Sequence, residues 1–189
     1  MPVAPPLAWR SPQRSPGKIT TGNDGTGTAQ QLGGVNFSVA AGVDIAQIPY
    51  KGSAPATTDL LGGVVDSQFD NLVTLVPFVK SGRLKALAVS STHRVTALPD
   101  VPTLAESALP GFETGTWYGI VAPKGTPKPV VDKLNAELLR MLALPEIRTK
   151  LVSMSLEPAG GTAAEFGALV KSDLAKNAPI VKAANVTVD

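Results

Sequence analysis

The chain has 189 residues, 43% of them apolar and 17% charged, a globular balance in a length that suits one ordinary core or two small lobes. Its formal charge of +2 comes from scattered Lys and Arg, and its two Tyr, five Phe and two Trp do not interleave with basic clusters, which argues against nucleic-acid binding. With no cysteine and one histidine, the sequence excludes thiol catalysis, disulfides, thiolate zinc and multi-histidine metal sites.

Residues 1–15 hold Pro2, Pro5, Pro6 and Pro12 with Arg10 and Arg14 and show no apolar periodicity, so they read as a disordered leader. The amino terminus does not read as a secretory signal, and no apolar run reaches the roughly eighteen residues of a membrane-spanning helix. Lys18 to Thr21 is then a short strand. The turn Gly25-Thr26-Gly27-Thr28 leads into a helix from Thr28 to Ala40, capped by Thr26 or Thr28, with Leu32, Val35 and Val39 on one face.

Val43 to Tyr50 reads as a second strand, followed by the turn Lys51-Gly52-Ser53 and a short helix from Ala54 to Leu61 that ends at Gly62-Gly63. Val64 to Phe69 is a third strand ending in Asp70-Asn71. Leu72 to Ser81 has helical spacing, although Pro77 must kink that helix or start it. Leu84 to Val89, nearly all apolar, is predicted as a strand of a parallel sheet covered on both faces. This alternation predicts an open α/β sheet with right-handed crossovers.

A proline-rich stretch from Leu98 to Pro110 breaks the pattern. Phe112 to Ala122, with Trp117 and Tyr118, is predicted as a long strand leaving for another lobe, with a boundary near Gly115 to Ile120. Thr126 is predicted to cap a helix with Pro127 in its first turn and Val131, Leu134, Leu138 and Leu142 inward. Pro145 opens a second helix with Ile147, Leu151 and Met154 inward. Thr162-Ala163-Ala164-Glu165 forms a capping box for a third, with Phe166, Leu169, Val170 and Leu174 inward. Such stripes are core-facing, and these helices need a sheet that the chain does not obviously contain.

In an open parallel sheet, ligands sit beyond the carboxyl ends of the strands. Four turns are predicted there: Asn23 to Thr28, Tyr50 to Ser53, Asp70-Asn71 and Ser90 to Thr92. Glycine turns entering helices aim free N–H groups at an anion, but a strand also needs such a turn merely to enter a helix, so one alone is not specific. Gly27-Thr28-Ala29 lacks the Gly-Lys-Ser/Thr ending of a nucleotide-hydrolysing loop. Lys51 either adds positive charge or is a solvated lysine at a strand end. Asp70 would repel an anion and is assigned an orienting role. His93, in Ser90-Ser91-Thr92-His93-Arg94, reads as an exposed loop residue rather than a triad member.

Gly17-Lys18-Ile19-Thr20, Gly25-Thr26-Gly27-Thr28-Ala29-Gln30-Gln31-Leu32, Pro49-Tyr50-Lys51-Gly52-Ser53-Ala54-Pro55-Ala56, Phe69-Asp70-Asn71, Gly82-Arg83-Leu84-Lys85-Ala86-Leu87-Ala88-Val89 and Ala122-Pro123-Lys124-Gly125-Thr126-Pro127 occur in this order. Together they resemble the substrate-binding proteins of tripartite tricarboxylate transporters, the Bug or TctC family, from about Pro16 to the C-terminus. The resemblance implies an α/β type II periplasmic-binding-protein fold, in which two lobes close on a small carboxylate and deliver it to membrane transporter subunits.

Carried over, the resemblance places ligand contacts at Gly25, Thr26, Gly27, Thr28, Lys51, Gly52, Asp70 and Asn71, and the strand-end turns add Asn23 and Tyr50 to the candidate contacts. It implies no cofactor, no metal and no enzymatic activity. It divides the chain into residues 16–117, a nearly complete ligand-binding lobe two, and residues 118–189, the mostly helical C-terminal part of lobe one. The family's signal peptide and first part of lobe one have no counterpart here, so the expectation is an N-terminally truncated receptor with a half-built cleft. It would be periplasmic by resemblance and cytoplasmic if expressed as given. The alternative expectation is a fragment that self-associates or docks through exposed helices of lobe one. Where the family has His-Leu-Ala-Gly-Glu, this chain has Gln31-Leu32-Gly33-Gly34-Val35, which weakens the helix by about 1 kcal/mol per glycine.

Overall fold

The computed structural model describes residues 19–183; the expected leader at 1–15 and Lys18 of the first predicted strand lie outside the described residues. Three strand–helix units open the fold: β1 (Thr20–Asn23), α1 (Ala29–Ala41), β2 (Ala46–Pro49), α2 (Ser53–Leu61), β3 (Ser67–Gln68) and α3 (Leu72–Lys80). The strands form a parallel sheet of order β2-β1-β3, with Thr20 opposite Ala46 and Thr21 opposite Ser67. Since all three strands run the same way, the turns that follow them emerge at one edge.

Both outer strands are shorter than expected. Val43 to Ile45 and Val64 to Asp66 approach the sheet without joining its ladder. Ile19, just before β1, is buried, as are Ala56 and Val65, and the bare α-carbon of Gly22 in β1 leaves room for Ala56, Val65 and the Tyr50 ring. Helix α1 packs differently from its apolar periodicity. Its buried residues are Gln30, Gly33 and Gly34, while Val39 is 63% exposed. A Cβ on Gly33 would lie 2.6 Å from Cε1 of Phe69, and one on Gly34 would lie 3.1 Å from Oε1 of Gln47. These glycines therefore let the helix settle onto the sheet layer, which helix propensity alone does not show.

A second core gathers Val76, Val89, Val95 and Leu98, with Leu72, Val79, Ala86, Ala97 and Val101 around them. The run Leu84 to Val89 supplies this cluster but is not the predicted strand. Only Val89 makes a bridge, parallel to Thr103, and β3 spans just two residues, so no neighbouring ladder is available to extend it. Thr103 caps α4 (Leu104–Ser107) in a capping box with Glu106.

Phe112 to Ala122, also predicted as a strand, has no strand ladder. Thr114 N–H donates to the Ser90 carbonyl at 3.1 Å, Phe112 meets Phe37 edge-on at 6.3 Å, and the segment then runs out to Ile120 and Val121, which are exposed. Farther along, the segment contacts the C-terminal helix: the Trp117 ring meets Phe166 edge-on at 5.2 Å and its Nε1 donates to Asp173.

The C-terminal helices are α5 (Lys128–Ala143), α6 (Pro145–Ser153) and α7 (Ala163–Ala183). Pro127, not Thr126, is the N-cap of α5, because the Thr126 hydroxyl donates back to the Pro123 carbonyl at 2.8 Å. The Thr162–Glu165 capping box forms as predicted, with Thr162 N–H donating to Glu165 Oε2 and Glu165 N–H to Thr162 Oγ1. The predicted inward faces are not buried: Leu134, Met154, Leu169 and Leu174 are exposed. The remaining predicted positions, Val131, Leu138, Leu142, Ile147, Leu151, Phe166 and Val170, are only partly covered, and among the described residues no sheet lies against these stripes.

Candidate functional site

The turn from β1 to α1 is built on Asn23, which is fully buried. Its Oδ1 accepts from Gly25 N–H at 3.1 Å, its Nδ2 donates to Gln47 Oε1 at 3.4 Å, and its carbonyl accepts from Tyr50 N–H at 3.0 Å. Gly25 holds φ +128°, and a Cβ there would lie 2.9 Å from the Tyr50 carbonyl, so glycine is required on two counts. Thr28 is the N-cap of α1: its Oγ1 donates to the Gly25 carbonyl at 2.8 Å and accepts from Gln31 N–H at 3.3 Å. Gly27 N–H donates to Gln31 Oε1 at 2.7 Å, whereas Thr26 is exposed.

The second turn is tied to the first. Gly52, with φ +105°, donates its N–H to the Asp24 carbonyl at 3.0 Å and caps α2 without a side-chain bond. Lys51 is exposed at the tip of this turn. The Tyr50 hydroxyl turns away along α2 and donates to Asp59 Oδ2 at 2.7 Å, and that bond raises the tyrosine pKa. Tyr50 thus offers the turn its backbone and leaves its phenol committed elsewhere.

The third turn centres on Asp70. Its Oδ1 accepts from Asn71 N–H at 2.6 Å and from the Ser53 hydroxyl at 3.0 Å, and its Oδ2 accepts from Gln68 Nε2 at 2.6 Å. One carboxylate therefore links the head of α2 to the head of α3, whose N-cap is Asn71. Burial pushes the Asp70 carboxyl above the usual carboxylate range, and the neighbouring charge of Asp24 pushes the same way, against the three hydrogen bonds.

The three turns converge at one sheet edge. Among the described residues the N–H groups of Ala29 and Gln30 at the head of α1, and of Ser53 and Ala54 at the head of α2, take no protein acceptor. Helix N-termini so arranged are suited to hydrogen-bonding a carboxylate or phosphate, with the dipoles adding to the attraction. The predicted fourth turn, Ser90 to Thr92, does not join them as a strand exit, because its strand is absent. His93 is exposed in that loop and its Nε2 lies 2.9 Å from Glu157 Oε1.

Four polar residues here were not among the predicted ligand contacts, although Asp24 and Ser53 lie inside the predicted turns. Ser53 bonds Asp70, and Gln30 is buried at the head of α1. Asp24 Oδ1 and Gln47 Nε2 are buried without a hydrogen-bond partner. For Asp24 and Ser53 the signal was their place inside the two glycine turns; for the glutamines it was polarity in segments otherwise expected to be apolar. An open depression of about 500 Å³, lined by Val35, Val39, Val43, Ile45 and Gln47, lies where α1 ends and β2 begins, away from the turns. No group of His, Cys, Asp and Glu among the described residues could hold a metal ion, and no described helix is long and apolar enough to cross a membrane.

The model of the tripartite tricarboxylate transporter family receptor matches residues 10–186. The chain belongs to that family. A relative from Pseudomonas sp. strain P51, the UPF0065 protein in the tcbD-tcbE intergenic region, is 39% identical over 165 residues, which are 87% of this chain and 49% of the relative. The structure of Rhodopseudomonas palustris Rpa4515 with adipate superposes with a TM-score of 0.82 at 32% identity, covering 93% of this chain and 58% of that one. The periplasmic binding protein BugD superposes with a TM-score of 0.76 at 40% identity, covering 92% of this chain and 59% of that one. This tripartite tricarboxylate receptor chain thus carries the α/β fold of such binding proteins and spans about half the length of the Pseudomonas relative.

Proposed function

We propose that this chain binds a small carboxylate at the edge where the three turns meet, as part of a solute receptor feeding a tripartite tricarboxylate transporter. The observation that carries this reading is the pair of helix heads, α1 and α2, whose turns are joined by the Tyr50–Asn23 and Gly52–Asp24 backbone hydrogen bonds and whose first N–H groups take no acceptor among the described residues. Residues 16–117 would form the ligand-binding lobe and residues 118–189 a part of the other lobe. Ligand contacts are assigned to the backbone of Gly25 to Thr28 and of Lys51-Gly52, with Asn23, Tyr50, Asp70 and Asn71 positioning those turns.

Rpa4515, solved with adipate, supports the carboxylate class, and BugD, described as periplasmic, supports periplasmic action. Receptor membership also favours binding over catalysis. Isothermal calorimetry with di- and tricarboxylates tests the reading: heat that saturates for at least one of them is expected, and its absence across the panel would count against it. A second reading, favoured by exposed Tyr118, Ile120, Val121, Leu134 and Leu174, is self-association through the C-terminal helices. Light scattering decides it, since a mass that stays monomeric at all concentrations excludes self-association.

A further inference from the structure

From Gly115 to Ala122 the chain is neither helix nor strand, and every residue is exposed. Among the described residues no backbone N–H of this run has an acceptor and no carbonyl has a donor. One of its faces is engaged. Trp117 packs edge-on against Phe166 of α7 and its Nε1 donates to Asp173, and a Cβ on Gly119 would run into the same Phe166 ring. Residues two apart that face one helix have the repeat of an extended strand, so Tyr118 and Ile120 face the other way, where they are 69% and 71% exposed. Helix α7 thus fastens one face of a strand whose hydrogen-bonding edges are open.

Thr116, Trp117, Tyr118, Ile120 and Val121 are β-prone, and the run holds neither a charge nor a proline, the features that keep exposed edges from pairing. Charge returns just outside it, with Glu113 before the run and Lys124 after it. We propose that residues 115–122 are a strand-pairing interface whose partner is the same run of a second copy, laid antiparallel about a two-fold axis at Gly119. In that register Tyr118 of each copy lies opposite Ile120 of the other, an aromatic and β-branched pair formed twice. Lys124 falls opposite Thr114, beside Glu113 of the second copy, so the ends of the two runs attract. Parallel pairing in register would instead set Glu113 against Glu113 and Lys124 against Lys124, which disfavours it. This inference rests on the self-association reading and names the residues that make its contact.

Sedimentation of the full chain over a wide concentration range should show the mass rising from one chain to two, because an isologous contact joins two copies and stops. Amide exchange over 115–122, read by mass spectrometry at low and high concentration, should slow by about tenfold or more as the dimer fills. A Tyr118→Lys, Ile120→Lys double variant sets like charges opposite one another and should stay monomeric, with circular dichroism unchanged because both side chains are exposed. The Leu134→Ser, Leu174→Ser variant should still dimerise. A dimer that survives the lysines, or one whose 115–122 amides exchange as fast as the monomer's, overturns the strand interface and leaves self-association through the helices standing. Growth past two copies overturns it as well. The exchange comparison needs no substitution, so it decides even where the lysine variant fails to fold. A chain that is monomeric at every concentration sinks the self-association reading, and this inference with it.

Discussion

At Gly33, helix propensity and packing oppose one another. Alanine would improve the helix by about 1 kcal/mol, yet its Cβ would meet the Phe69 ring at 2.6 Å. Such overpacking costs about 1–3 kcal/mol, so Gly33→Ala is expected to lower the urea midpoint. At Gly167, inside α7, an added Cβ would meet nothing within 4 Å, and Gly167→Ala is expected to raise stability by about 0.5–1 kcal/mol. The sequence reads Gly33 only as a helix weakener, because the ring that requires it lies 36 residues away along the chain (69 − 33 = 36). Asp70 gives a pH prediction of definite sign. Its folded pKa lies above its ordinary value, so between the two the native state binds more protons than the unfolded chain, and stability falls as pH rises through that window. Asp70→Asn, which cannot ionise, should flatten this fall when urea midpoints are compared from acid to neutral pH. A difference between the two proteins that does not change with pH would count against it.

Among the elements, the turns were the most legible. Gly25, Gly27, Thr28, Gly52 and Asp70-Asn71 announce strand-to-helix passages because φ and capping preferences are local properties. The Thr162–Glu165 box is legible for the same reason, and its hydrogen bonds hold the Glu165 carboxyl below the usual range. Its contribution to stability is therefore present above the ordinary glutamate pKa and is lost as pH falls through the lowered one. At the other box, Thr103 is buried, and Thr103→Ala is expected to cost about 1 kcal/mol, measurable by chemical denaturation. Strands were legible only in part. An apolar run such as Leu84 to Val89 records burial, but strand formation depends on a neighbouring backbone that periodicity does not contain. The same limit applies to the candidate site: Asp24 and Gln47 stand out only once the distances around them are known. No residue of α5 or α6 is buried, so their amides should exchange with solvent faster than those of α2, which packs Ala56 and Thr57 against the sheet. Hydrogen exchange read by mass spectrometry checks this order, and equal protection would contradict it.

On the scale of the whole molecule, burial is unevenly spread. The strand–helix units and the Val76 cluster hold nearly all the buried side chains, whereas the C-terminal helices rest on one another, on α1 and on the segment around Trp117. Apolar dye binding should therefore be measurable in the native protein and should fall in a Leu134→Ser, Leu174→Ser double variant, with circular dichroism unchanged. The sheet order carries a different consequence, one of timing. β1 precedes both of its partners yet is central in the sheet, and those partners arrive 26 and 46 residues later (46 − 20 and 67 − 21). A chain emerging amino end first holds its central strand unpaired on one side until residue 68 is available. In that interval α1 has two interior glycines and no finished surface to rest on. Completion of the sheet on both sides of β1 therefore waits for closure of the longer loop.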